Sequence, residues 1–335
     1  MGEISVAQIK SVLLGAATGD AFGVPFEFLP ASAVAALSMD AMRGADDKEP
    51  VNSRWGRIIP AGSWSDDTSM AVATMESIIH NDGELNLSNL MDRFVAWWEN
   101  GEYCALDQPF GLGKTVAGAL GRFKNGTDPL DCGGTRVYDN GNGALMRIFP
   151  VVLLLWRKPT VREENWETIS KASRITHGHA ISQLSCIIYS EFLSSLLDGK
   201  SLEGAYQAAV DKPYRDWREN DEEWLAALEA HQRVLDPSFL ALTPADLTPS
   251  GYVVDTLEIV LHSLLRTESY REAIQTTVRL GGDTDTYAAI AGAAAGAYYG
   301  LDGIPREWPA KLKRRAYLNN LALRFHQAIK PSYSL

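Results

Sequence analysis

The chain has 335 residues, 46% hydrophobic and 22% charged, and a formal net charge of −11. That length and composition allow a folded protein with a sizeable core, and the acidic balance argues against a nucleic-acid backbone or an anionic membrane as a main partner. Its three cysteines, Cys104, Cys132 and Cys186, are too widely spaced for a disulfide framework or a zinc ribbon.

The first residues carry no basic stretch followed by an apolar run, so no signal peptide is expected and the cytoplasm is the default location. Ile4, Ile9, Val12 and Leu13 repeat at helical spacing up to Gly15 and Gly19. Gly15, Gly19 and Gly23 fall every four positions and would give a helix one smooth face for close packing; Pro25 then ends it and leaves Glu27 on a loop. Further helices are expected over 68–79, 87–98, 145–156, 181–197, 222–235, 253–265, 270–280, 285–299 and 309–328. The stretches 40–63, 100–114, 124–143 and 236–251 are rich in Gly, Pro and Asp and read as loops. Strand-like alternation is scarce, so the expected architecture is a compact all-α, single-domain, multi-helix protein spanning 1–335. The strictly apolar run around 151–156 is too short to cross a bilayer, and the Gly292-to-Gly296 spacing reads as a closely packed buried helix rather than a membrane helix.

Two acidic clusters sit at expected helix starts, Ser65-Asp66-Asp67-Thr68 and Asp283-Thr284-Asp285-Thr286. Each alone could be an N-cap, since Ser, Asp and Thr cap well and carboxylates suit the positive end of a helix. A second aspartate adds little to capping, however, and like-charged clusters need a reason to coexist. A divalent cation supplies one. The donors are all oxygens, which points to Mg²⁺ or Mn²⁺ rather than Zn²⁺, and the spacing does not match a calcium loop. Two ions about 3.5–4 Å apart would best use four aspartates.

Other motifs are weaker. Gly113-Lys114-Thr115 lacks the earlier glycine of a phosphate-binding P-loop, because Gln108 stands there. His177 and His179 have no third Cys or His nearby for zinc, so one is expected to face a ligand and the other to pack or cap the helix that follows. Trp97-Trp98 reads as core and rim, not as a nucleic-acid platform.

Gly19-Asp20-Ala21-x-Gly23-x-Pro25-x-Glu27, Trp64-Ser65-Asp66-Asp67-Thr68-Ser69-Met70, Asn142-Gly143-Ala144-Leu145-Met146-Arg147, Thr176-His177-Gly178-His179, Ser250-Gly251-Tyr252 and Leu280-Gly281-Gly282-Asp283-Thr284-Asp285-Thr286 occur in one order. Over about residues 8–300 this resembles the ADP-ribosylglycohydrolase family. The resemblance implies an all-α fold with a dinuclear Mg²⁺ or Mn²⁺ site liganded by Ser65, Asp66, Asp67, Asp283, Asp285 and Thr286. It places Glu27 at the scissile ribose, Asn142 and Gly143 near the diphosphate together with the amides around Gly113, His177 close to the phosphates, and Tyr252 stacked on adenine. Relatives often carry an aspartate where this chain has Gly111, in Phe110-Gly111-Leu112-Gly113, which leaves the leaving group open. The implied activity is hydrolysis of the ribose C–N bond of ADP-ribosylated protein, foremost on arginine, releasing ADP-ribose. Alternatives are O-linked ADP-ribose on serine, O-acetyl-ADP-ribose, nucleobase adducts, or a non-catalytic ADP-ribose binder. A cognate ADP-ribosyltransferase toxin, with this chain as its immunity protein, is a possible biological partner.

Overall fold

A computed structural model describes residues 4–156 and 160–330. Helices of seven residues or more among them are α1 Val6–Gly23, α2 Asp66–His80, α3 Leu87–Asn100, α4 Lys114–Lys124, α5 Phe149–Leu155, α6 Arg162–Arg174, α7 Ala180–Leu197, α8 Leu202–Val210, α9 Glu222–Ala230, α10 Val253–Leu264, α11 Tyr270–Arg279, α12 Thr284–Gly303 and α13 Arg315–Ala328. The described residues contain no named strand, only isolated bridges between loops. The fold is therefore all-α, as expected.

The core is organised around α1 and α12, both buried on nearly every side over most of their lengths. The first helix starts at a reciprocal cap, with Ser5 accepting from the Gln8 amide and Gln8 accepting from the Ser5 amide. It does not stop at Gly15 or Gly19 but runs on to Gly23, because its glycine face is filled by α12 rather than by water. Helix α7 is long and apolar enough to cross a membrane by length and composition, yet 89% of it is buried inside the protein, as befits a core helix.

Four expected helices end or break differently. The 145–156 segment is a 3-10 turn at Leu145–Arg147 followed by α5, which carries Pro150 in its first turn, where the missing N–H costs nothing. The 222–235 segment breaks at His231, whose ring bonds Ala227 O at 2.7 Å and Ser185 Oγ at 2.7 Å. The 285–299 helix continues to Gly303 through a kink at Gly300, which has φ 70° and ψ 178°. The 309–328 segment is divided into Glu307–Lys311 and α13 by the left-handed Arg314. Helices α4, α6 and α8 escape the periodicity argument: α4 contains Gly118 and Gly121, α6 is mostly polar, and α8 is only nine residues long.

Candidate active site

The site begins with a backbone contact. An ideal Cβ at Gly19 would lie 1.9 Å from Ala288 O, one at Gly15 2.3 Å from Gly292 O, and one at Gly23 2.4 Å from Thr284 O. These glycines let α1 touch the α12 backbone, and any side chain there would collide with a carbonyl. The contact brings Asp20 and the turn after α1 against the start of α12.

Asp20 then fixes the start of α2. Its carboxylate accepts from the Ser65 amide at 2.9 Å, the Thr68 amide at 3.0 Å and the Thr68 hydroxyl at 2.6 Å. Ser65 is the formal N-cap, accepting from the Asp67 amide at 3.3 Å. With these amides satisfied, the carboxylates of Asp66 and Asp67 are not needed as caps. At α12 the side chain of Asp283 makes no capping bond either; it accepts from Asn142 Nδ2 at 2.7 Å. The two clusters meet: Asp67 Oδ2 accepts from Ser65 Oγ at 2.7 Å and from Thr286 Oγ1 at 3.3 Å. Carboxylate oxygens of Asp20, Asp67 and Asp285 lie within 4.8 Å of one another, and so do those of Glu27, Asp283 and Asp285. The capping alternative thus explains Ser65 and leaves the aspartates unexplained.

Burial and mutual repulsion dominate the electrostatics. Desolvation, then the charge of Asp67, pushes the Asp66 carboxyl well above its usual range. Desolvation, then Asp20 and Asp283, does the same to Asp67; desolvation, then Glu27 and Asp67, does so to Asp285. Desolvation also raises Asp283, against hydrogen bonds from Asn142, Asp285 and Thr286, and takes Asp20 to about 6 against its bonds to Thr68 and Ser65. Glu27 is raised to about 8 by burial and by Asp283, with Trp55 and Asp285 working the other way. Asp67 Oδ1 and Glu27 Oε2 are buried without a hydrogen-bond partner among the described residues. Crowded carboxylates with orphaned oxygens fit a divalent cation, which would satisfy those lone pairs and offset the repulsion.

The facing wall is made of loops. Gly134 N donates to Thr176 O and Gly178 N to Gly134 O; Asn142 N donates to Gly251 O and Val253 N to Asn140 O. These bonds stitch 132–143, 176–179 and 249–252 together. Asn142 Nδ2 reaches Thr256 Oγ1 at 3.1 Å as well as Asp283, so it ties this wall to the acidic one. His177 is buried against Gly143, whose ideal Cβ would lie 3.0 Å from His177 Cε1 and 3.2 Å from Val116 Cγ2. Burial and the charge of Arg147 lower His177 to about 3. His179 caps α7, its Nδ1 accepting from the Ile181 amide at 3.3 Å. Tyr252 is half-buried at the start of α10 and also lines a surface groove of about 530 Å³ with Arg233, Asp255 and Glu258.

Gly111 sits at φ 90°, and an ideal Cβ there would lie 2.1 Å from Asp66 Oδ1. The Asp66 carboxylate therefore occupies the space a side chain at 111 would need. Two residues on, Gly113 is the exposed N-cap of α4, with nothing within 4 Å of an added Cβ. Phe110 packs on Trp55 with ring centroids 5.2 Å apart, and Arg54 lies over Trp55 at 4.3 Å. Trp97 is buried and Trp98 exposed, as core and rim require.

Among the residues singled out as ligand-facing, Glu27, Ser65, Asp66, Asp67, Asp283, Asp285 and Thr286 lie on the acidic wall, Asn142, Gly143, His177 and Tyr252 on the loop wall, and Gly111 and Gly113 just before α4. Asp20, Trp55 and Arg147 were not singled out. The available signal for Asp20 was a lone carboxylate inside an otherwise apolar, glycine-faced helix. For Arg147 the sequence carries no comparable signal, since its importance comes from burial, and that of the half-buried Trp55 comes from its contacts with Phe110 and Arg54.

An all-α protein in which two acidic helix starts and a buried glutamate converge has a carboxylate-lined site that suits a hydrolase. The ADP-ribosylglycohydrolase family model matches residues 3–334, and the chain belongs to that family. It is 32% identical to ADP-ribosylarginine hydrolase Tri1 of Serratia proteamaculans, over 95% of this chain and 78% of the relative. It is 28% identical to the ADP-ribosyl-[dinitrogen reductase] glycohydrolase of Rhodospirillum rubrum, over 89% and 88%. A solved structure titled ADP-ribosylglycohydrolase-related protein complex superposes with a TM-score of 0.76 at 27% identity, covering 97% of this chain and 99% of that one.

Proposed function

We propose that this glycohydrolase removes ADP-ribose from modified arginine side chains of proteins, by hydrolysis of the ribose C–N bond. The observation that carries the reading is the meeting of Asp67 with Asp283 and Asp285 beside the buried Glu27, whose Oε2 has no hydrogen-bond partner among the described residues. The arginine linkage is supported by the 32% identity to a relative named as an ADP-ribosylarginine hydrolase.

Ser65, Asp66, Asp67, Asp283, Asp285 and Thr286 are the residues that would hold a pair of Mg²⁺ or Mn²⁺ ions. Such ions supply Lewis acidity, orienting ribose hydroxyls and lowering the pKa of a water. Glu27 accepts the proton of the attacking water at a carboxylate oxygen and, as an anion, stabilises the oxocarbenium-like sugar. Water adds to the ribose anomeric carbon, the C–N bond breaks, and the departing guanidine nitrogen takes a proton. Burial favours the neutral form of Glu27, so its working form depends on nearby positive charge. Asn142, the Gly143 amide, His177 and the amides opening α4 at Gly113 bind the diphosphate, and the Tyr252 ring packs on adenine. At position 111 the Asp66 carboxylate takes the place of a side chain, and Phe110, Trp55 and Arg54 border that side, an aromatic and cationic edge against which a leaving group can lie. A cytoplasmic setting, where the chain reverses regulatory or toxin-driven ADP-ribosylation, suits this activity.

The test is a panel of arginine-linked and serine-linked ADP-ribosyl peptides, assayed with Mg²⁺ and with excess EDTA. Release of ADP-ribose from the arginine peptide, abolished by EDTA, is expected. Equal or greater turnover of the serine peptide would move the activity to O-linked substrates, and undiminished turnover in EDTA would remove the metal from the reaction.

A further inference from the structure

Arg147 is anomalous. It is fully buried, yet among the described residues no carboxylate is bonded to it, and its Nε and Nη1 have no hydrogen-bond partner. Its Nη2 donates to Ala172 O at 3.1 Å and to Thr176 Oγ1 at 2.7 Å, and its guanidinium lies over the Phe94 ring at 4.9 Å. Burying a cation this way is costly. It is placed one hydroxyl away from His177, because Thr176 Oγ1 is 2.9 Å from His177 Nδ1.

The Thr176 hydroxyl has two lone pairs and one proton, so it could accept from both neighbours, but one arrangement alone gives that proton a partner among the described residues. Arg147 can only donate, so Thr176 Oγ1 accepts from it. The Thr176 hydroxyl then has one proton to give, and His177 Nδ1 is its one remaining partner among the described residues. His177 Nδ1 is therefore an acceptor, and the imidazole proton sits on Nε2. That nitrogen has no hydrogen-bond partner among the described residues and faces the Gly141–Gly143 turn, 3.5 Å and 3.4 Å from the ideal Cβ positions of those two glycines. We propose that Arg147, acting through the Thr176 hydroxyl, is a positioning residue that locks His177 as a neutral Nε2–H donor aimed at an anionic group of the ligand. The charged groups acting on His177 are Arg147, which disfavours its protonation, and Asp139, which favours it more weakly and is itself paired with Arg136. The identity of the anionic group, a diphosphate, rests on the function proposed above; the relay does not.

Histidine side-chain nitrogen-15 correlation spectra of the full chain test this, with the His177 signal assigned from its loss in His177→Gln. Between pH about 6 and 8 the expected signal is Nε2–H with an unprotonated Nδ1. Thr176→Val should shift His177 to the other tautomer or a mixture. It should also weaken ADP-ribose binding and raise KM by roughly tenfold, with a smaller change in kcat, the loss expected for one hydrogen bond to a charged group. Thr176→Ser, which keeps the hydroxyl and the fold, should restore both readouts. A wild-type chain that binds ADP-ribose but carries Nδ1–H, or a tautomer that ignores Thr176→Val, overturns the relay. A chain with the expected tautomer that binds no ADP-ribose overturns the ligand assigned to the donor.

Discussion

The acidic wall of Asp20, Glu27, Asp66, Asp67, Asp283 and Asp285 and the loop wall of Asn142, Gly143, His177 and Tyr252 face one another but are held by opposite means. The acidic wall stands on two helix starts pinned by a backbone-to-backbone helix contact, and its carboxyl groups are all raised by burial, those of Glu27, Asp66, Asp67 and Asp285 by repulsion as well. The loop wall stands on a few inter-loop backbone bonds, and behind it lies a buried arginine whose charge no carboxylate neutralises. One wall therefore calls for a cation and the other tolerates an anion, and Asn142 bridges them by bonding Asp283. A ligand with both a polyhydroxyl sugar and a diphosphate suits a site of that polarity.

The comparison can be broken at several points. The largest effect is expected from Glu27→Gln, which should lower turnover by on the order of 10²–10⁴-fold while ADP-ribose affinity by calorimetry changes little. An unchanged rate would take Glu27 out of the chemistry. Next, Gly19→Val forces a side chain into Ala288 O and should cost about 1–3 kcal/mol, read as a lowered Tm with loss of cation binding. A Tm within a degree of wild type would mean that the α1–α12 contact is not what holds the acidic wall.

The two walls should also respond to pH with opposite sign. Asp20 is raised from 3.8 to about 6, so in the chelated chain its stabilising contribution is present at low pH and lost as pH rises through about 6. His177 is depressed from 6.5 to about 3, so its contribution is present above 6.5 and lost as pH falls toward 3, and the buried His231 outside the wall, depressed to about 4, acts in the same direction. Thermal melts in EDTA should therefore give greatest stability at mildly acidic pH, and added Mg²⁺ should raise Tm more at high pH than at low. A Mg²⁺ effect independent of pH would contradict the carboxylate origin of the cation requirement. The smallest effect belongs to Tyr252→Leu, with KM for the ADP-ribosyl substrate raised roughly tenfold, as for one lost base–aromatic stack, and kcat nearly unchanged.

Much of the fold was legible because apolar periodicity marks long buried helices well. The breaks at His231, Arg314 and Gly300 were not, because each depends on tertiary contacts or local turn geometry that periodicity ignores. Gly15, Gly19 and Gly23 gave the close-packed face correctly, and the helix ends at Gly23, just before Pro25. The two acidic clusters were readable because their carboxylates exceed what capping needs. Asp20, by contrast, turned out to provide much of the capping of α2 from another helix, a job no local pattern displays. Arg147 looked like the end of a motif; its complete burial, with no carboxylate among the described residues and one hydroxyl between it and His177, is a tertiary feature that no local pattern displays.

The central claim is that two helix starts distant in sequence form one cation site. Calorimetric titration of Mn²⁺ into the full chain and into Asp67→Asn and Asp285→Asn tests it directly. The account predicts binding in the wild type that weakens by roughly tenfold or more in each variant, one from either cluster. Mn²⁺ affinity unchanged in either variant would contradict it.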